Sequence, residues 1–114
     1  MTNAMPPPTP EDLGAAPLWE NYIIAQATQA SLGLIPRNAL ALGVTVDGLD
    51  VTVTCQLQAI TRADKEDLRE IAQELTLLLG AHVNVTSAHH ILESPVITPH
   101  DAASWIFVAR ADAA

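Results

Sequence analysis

Aromatic residues, cysteine and basic residues are all scarce in this sequence, and each scarcity excludes something. Aromatic side chains make up 4% of the 114 residues, so a core has to be built mainly from Leu, Ile, Val and Ala. The single cysteine, Cys55, excludes an internal disulfide bond and fits a reducing compartment. Because Cys55 falls on the apolar side of an alternating segment, we predict a buried thiol and not a catalytic nucleophile.

The shortage of positive charge excludes several kinds of partner. Five Lys and Arg residues face 13 Asp and Glu residues, which gives a net charge of −8. Such a chain repels phosphate backbones and anionic lipid headgroups, so we predict no nucleic-acid partner and no membrane partner. The surplus of acidic residues either binds a basic protein partner or only keeps the protein soluble. No apolar run is long enough to span a bilayer and no secretion signal is visible, so we expect a cytoplasmic protein.

Residues that could bind a metal or support catalysis are also few. His89 and His90 are adjacent, so in a strand they point to opposite faces and cannot bind one ion together. His82 and His100 add no ligand spacing typical of zinc. The sequence also has no phosphate-binding glycine loop and no serine in a strand-to-helix elbow. We therefore predict no metal, no cofactor and no enzymatic activity.

The proline residues divide the chain into a leader and a domain. Pro6, Pro7, Pro8 and Pro10 favour extended, unpaired backbone, which predicts a flexible proline-rich leader over residues 1–12. The remaining residues, 13–112, are the right number for a single α+β domain.

Hydrophobic periodicity predicts two helices and four strands. The first helix runs from about Pro17 to Leu32 and ends at Gly33. Two alternating segments joined by Asp47-Gly48 then predict a hairpin, with one apolar face and one face rich in Thr and Gln that we expect to be wet.

The second helix shows a continuous apolar stripe. Its members are spaced by three or four residues: Leu68, Ile71, Ala72, Leu75, Leu78 and Leu79. Thr61 or Asp64 can cap its start and Gly80 can end it. Strands near His82–Ile91 and Ser104–Ala109 follow, joined by an irregular, functional or mobile connection. The order α-β-β-α-β-β predicts a two-layer α+β sandwich, with two helices on one face of a four-stranded, mostly antiparallel sheet.

The clearest candidate site is acidic. The second helix carries five carboxylates that we expect to face outward: Asp64, Glu66, Asp67, Glu70 and Glu74. Like charges four residues apart cost a helix about 0.2–0.5 kcal/mol per pair, although nearby basic residues offset part of this cost. The acids form either a solvated face or a docking strip for Lys and Arg of a partner. Glu93 and Asp101, in the connection between the last strands, could form a second edge of this binding surface.

Three segments resemble a family of small bacterial immunity proteins. They are "LGLIPRNALALGVTVDG", "TRADKEDLREIAQEL" and "WIFVARAD", within a region from about Ala30 to Asp112. Proteins of this family neutralise toxins of contact-dependent inhibition and related polymorphic toxin systems. The resemblance implies a toxin-binding antitoxin without catalysis, commonly set against a nuclease, whose basic cleft an acidic domain could occlude.

Two other functions stay open on the sequence. Sandwiches of this kind also serve as regulatory modules that bind small molecules, because fold alone does not fix function. A homo-oligomeric assembly subunit that pairs through a sheet edge is the second alternative.

Overall fold

A computed structural model describes residues 16–98 and 101–110 of the chain. The elements are α1 (Ala16–Ser31), β1 (Ala39–Asp47), β2 (Asp50–Leu57), α2 (Arg62–Leu79), β3 (Asn84–Ile91) and β4 (Ser104–Val108). The predicted α+β fold and its element order are therefore confirmed. The leader predicted for residues 1–12 lies outside the described residues.

The four strands form one sheet in the order β3-β2-β1-β4. β1 pairs antiparallel with both β2 and β4, which confirms a mostly antiparallel sheet. β2 and β3 pair in parallel, because α2 returns the chain to the end of the sheet at which β2 began.

The hairpin between β1 and β2 lies where the Asp47-Gly48 pair predicts it. Asp47 pairs with Asp50, and Gly48 has a φ of 59° in the two-residue turn between them. A glycine adopts this positive φ without the steric cost that a Cβ would add, so the turn is tight and the register of the hairpin is fixed.

Both helices pack on the same face of the sheet. One cluster of buried side chains joins Ile23 of α1 and Ile71 of α2 to Leu42, Val53 and other residues of β1 and β2. Cys55 belongs to this cluster and is fully buried, as predicted. Burial, and then the nearby charge of Asp64, raise the pKa of the Cys55 thiol to about 12.

The other face of the sheet is only partly exposed to solvent. Since β3 and β4 lie at opposite edges, the chain between them has to cross the sheet, and it does so on the face opposite the helices. Gln56 holds this connection, because its side-chain Nε2 donates to the carbonyl of Val96 at 2.8 Å and its Oε1 accepts from the amide of Val96 at 2.9 Å. Ala41 is consequently fully buried.

The expectation of one wet face is therefore wrong at Ala41, Gly43 and Gln56, which are buried, and holds on β3, where Thr86 and His90 are exposed. Trp105 covers the same face further along β1. A Cβ at Gly43 would lie 2.7 Å from Cε3 of Trp105, so only glycine leaves room for the indole.

Candidate functional site

The acids and bases on the exposed surface of α2 lie in two grooves on different sides of the helix, and Arg69 belongs to both grooves. Its buried residues Leu68, Ile71 and Leu75 fix the rotation of the helix against the sheet. Glu70 and Glu74 then lie on the side that faces α1. Lys65 lies on the side that faces β3. The predicted docking strip therefore lies mainly on the α1 side of the helix, where Arg69 joins the acids in the lining of the same groove.

The start of α2 is fixed by a reciprocal pair of hydrogen bonds. Thr61 is the N-cap, and its Oγ1 accepts from the backbone amide of Asp64 at 3.1 Å. The carboxylate of Asp64 accepts from the backbone amide of Thr61 at 2.9 Å in return. This capping box satisfies two backbone donors that a helix would otherwise leave unpaired.

Asp64 is also tied to the segment that precedes β1. The side-chain amide of Asn38 donates to Asp64 Oδ2 at 2.8 Å. Burial by itself raises the pKa of Asp64, but the hydrogen bonds from Thr61 and Asn38 together outweigh it and leave the pKa below its usual value. The side chain is 1% exposed, so the prediction that Asp64 faces outward as a docking residue is wrong.

Glu66 and Asp67 are two further acids of the predicted docking strip, and their surroundings differ. Arg69 Nη2 donates to Glu66 Oε2 at 2.6 Å, and both side chains are more than half exposed. This pair neutralises part of the charge of Glu66. Asp67 is half-buried.

Glu70 and Glu74 line an open groove between α1 and α2. The groove has a volume of about 530 Å³, and the turn after α1 forms its other wall. Its lining combines carboxylates, amides and apolar groups: Gln29, Ala30, Leu32, Leu34, Arg69, Glu70, Gln73 and Glu74. Within the described part of the chain, neither Glu70 nor Glu74 forms an ion pair within 4.0 Å.

Exposed leucines lie beside these acids. Leu32, in the groove wall, is 64% exposed, and Leu77, one turn beyond Gln73 on α2, is 73% exposed. An apolar wall next to free carboxylates suits Lys and Arg, because their methylene stems pack on apolar surface while their charged ends reach an acid.

The two remaining predicted acids do not join this groove. Glu93 lines a separate groove at the end of the sheet, together with Arg37 and Arg110. Asp101 accepts hydrogen bonds from the amide of Thr98 at 2.8 Å and from Trp105 Nε1 at 2.9 Å, so its carboxylate holds the crossing connection.

Sequence reasoning missed the partners that complete the surface. Gln29 and Gln73 line the groove, but a polar residue on a helix gives no sign that it will meet another helix. Asn38 gave no signal either. The capping box was visible in principle, because Thr61 and Asp64 have the required spacing.

Residues 16–98 and 101–110 contain neither a metal-binding cluster nor a membrane-spanning helix. No three His, Cys, Asp or Glu side chains in these ranges come together in a way that could hold a metal ion. No helix there is long and apolar enough to cross a membrane.

Comparisons with known proteins leave the surface to be interpreted from its own geometry. No protein-family model, curated protein or solved structure matches this chain.

Proposed function

We propose that this protein binds and neutralises a toxin domain, most simply a nuclease, by docking the groove between α1 and α2 onto a basic surface of the toxin. The observation that carries the proposal is that Glu70 and Glu74 form no ion pair within the described residues and lie beside exposed leucines in a groove that is open to a partner. The resemblance to immunity proteins of contact-dependent inhibition supports the same function.

The physical basis is competition for a basic cleft. A nuclease has to attract phosphate, so its active cleft is positively charged and complements an acidic surface. A Lys or Arg of the toxin would place its methylene stem on Leu32 and its charged end on Glu70 or Glu74. A specific complex needs about 800 Å² from each partner, which would exclude the substrate sterically.

The first test pairs this protein with a candidate toxin domain, the C-terminal domain of any large secreted protein whose gene adjoins its own. Co-expression of the two should restore growth that the toxin domain alone stops, and the purified pair should bind. The dissociation constant should rise as salt is increased from about 50 mM to about 500 mM, because exposed charge pairs are screened over this range. Failure of the pair to bind and of growth to recover would overturn the proposal.

The second test removes the two charges in the groove. Glu70→Gln with Glu74→Gln should weaken toxin binding by about tenfold to hundredfold, since each lost charge contact at an interface costs on the order of 1 kcal/mol. The matched control is Glu20→Gln with Asp47→Asn, which removes the same charge from exposed positions outside the groove. Equal affinities of the two double variants would contradict docking through this groove.

A further inference from the structure

The sheet has a second candidate binding feature at its β3 edge, which is distinct from the groove between the helices. β3 is the outermost strand and pairs only with β2 among the described residues. Its register against β2 runs without a shift from Asn84 to Ile91. The backbone of β3 therefore presents a regular row of donors and acceptors on its outer side.

The direction of each backbone group follows from two hydrogen bonds. The backbone amide of Asn84 donates to the carbonyl of Leu49, and the amide of Leu92, just after β3, donates to the carbonyl of Leu57. The backbone amides of even-numbered residues in β3 therefore point toward β2. The amides of Val85, Ser87 and His89 consequently point away from the sheet. These positions can pair with a further strand.

Within the part of the chain that the structure describes, β3 lacks the features that usually protect an edge strand. Natural proteins guard such edges with Lys, Pro, bulges or short strands. β3 has eight residues and contains neither Lys nor Pro. β4, at the opposite edge, has five residues and a shift in its register with β1 between Leu42 and Gly43.

A basic groove lies directly beside the β3 edge. It has a volume of about 300 Å³ between α2 and β3, and its polar lining consists of Lys65, Arg69, Thr86, Ser87 and His89. Ile60, Ala72 and Val85 contribute apolar surface. Lys65 has no ion pair within 4.0 Å among the described residues, whereas Arg69 already binds Glu66 through Nη2 and has its other guanidinium N–H groups left to donate.

The spacing of these cations matches an extended chain. Lys65 and Arg69 are four residues apart on α2, which separates them by about 6 Å along the helix axis. Alternate side chains of a strand are about 6.6–6.8 Å apart and point to the same face. Two carboxylates at alternate positions of an added strand would therefore lie opposite the two cations.

We infer that β3 accepts an extended segment of a partner protein as a fifth strand, and that acidic residues at alternate positions of this segment lie in the groove beside Lys65 and Arg69. The chemistry required is opposite to that of the groove between α1 and α2, which takes basic side chains. The inference does not depend on the proposed toxin binding, because the two grooves lie on different sides of α2 and share only Arg69 among their lining residues.

The test uses a synthetic peptide of about nine residues, the length of a long strand. Its sequence is Thr-Val-Thr-Glu-Thr-Glu-Thr-Val-Thr. A control peptide has lysine in place of each glutamate. Nuclear magnetic resonance titration of the whole protein should show shifts of the amides of Val85, Ser87 and His89 with the acidic peptide. The lysine peptide should bind at least about tenfold more weakly, since it places like charges together.

Variants of the protein separate backbone pairing from charge. Ser87→Pro removes an outward amide without removing a bond to β2, and should abolish binding of the acidic peptide, whereas Ser87→Ala should retain it. Lys65→Gln should weaken binding by about threefold to tenfold, while Arg62→Gln, which removes a charge outside the groove, should have little effect. Lys65→Gln keeps the test decisive if Ser87→Pro does not fold.

Three results would overturn the inference. The first is equal binding of the acidic and lysine peptides, and the second is equal binding by the Lys65→Gln and Arg62→Gln variants. The third is concentration-dependent dimerisation with shifts of the β3 amides, because this result would assign the edge to a second copy of this chain. The double variant Glu70→Gln with Glu74→Gln should lose toxin binding and keep peptide binding at β3. The two proposals can therefore fail separately.

Discussion

Asp64 and Glu70 belong to the same helix but serve opposite sides of it. Asp64 is buried and accepts hydrogen bonds from Thr61 and Asn38, so its charge is used within the fold. Glu70 is exposed in the groove between α1 and α2 and has no ion pair within the described residues. The difference shows that the acidic residues of this helix cannot be treated as one functional group.

The contrast follows from helical spacing. Asp64 lies four residues before Leu68, on the stripe of residues that pack against the sheet. Glu70 lies on the opposite half of the helix. Substitutions at the two positions should therefore separate stability from binding.

The largest effect is expected for Asp64→Ala. This change removes the capping box and leaves donors of Thr61 and Asn38 without their acceptor, so it should lower the free energy of unfolding by about 2–3 kcal/mol. Urea denaturation followed by circular dichroism measures the effect. Asp67→Asn, a half-buried acid three residues further along with no capping role, should stay within about 0.5 kcal/mol of the parent protein. Equal losses in the two variants would remove the contrast.

The pH dependence of stability should also distinguish Asp64. Its folded-state pKa lies below the unfolded value of about 3.9, so the folded state binds this proton less readily than the unfolded state. The contribution of Asp64 is therefore complete above the unfolded pKa and is lost as the pH falls through the folded pKa. Urea unfolding at several pH values should show the stability difference between the parent protein and Asp64→Asn shrinking below about pH 4. A difference that does not change with pH would contradict this account.

The smallest effect is expected for Glu70→Gln, and it should have the opposite sign. Glu66 and Glu74 are each four residues from Glu70, and each like-charge pair costs about 0.2–0.5 kcal/mol. The loss of attraction to Arg69 offsets part of the gain, so the free energy of unfolding should rise by a few tenths of a kcal/mol. The gain should disappear in about 1 M salt. A loss of more than about 1 kcal/mol would mean that Glu70 serves the fold, as Asp64 does.

The sequence was sufficient to predict the elements because their periodicities are regular. The apolar spacing of α2 and the Asp47-Gly48 turn depend on neighbours along the chain, and the observed bounds of the strands differ from the predicted ones by at most two residues. The parallel pairing of β2 with β3 depends on how distant segments meet, which no local pattern encodes.

The candidate site was harder to predict for the same reason. Glu70 and Glu74 were found because exposed acids are visible in a helical pattern. For Asp64 the sequence supports two roles, a cap of α2 and an outward docking residue, and the structure agrees only with the first because Asp64 lies on the buried stripe. The two hydrogen bonds between Gln56 and Val96 join residues that are 40 positions apart in the sequence. A Gln in an alternating strand does not by itself predict such bonds.

The crossing from β3 to β4 has a consequence for the order in which the protein can be completed. During translation β2 can pair with β1 as soon as the hairpin has formed, but the second edge of β1 stays bare until Ser104–Val108 has been made. The first six residues of β1 are all buried in the finished protein. A nascent chain that stalls before Ser104 would therefore present an apolar strand to chaperones. The completed domain does not expose this strand on its surface.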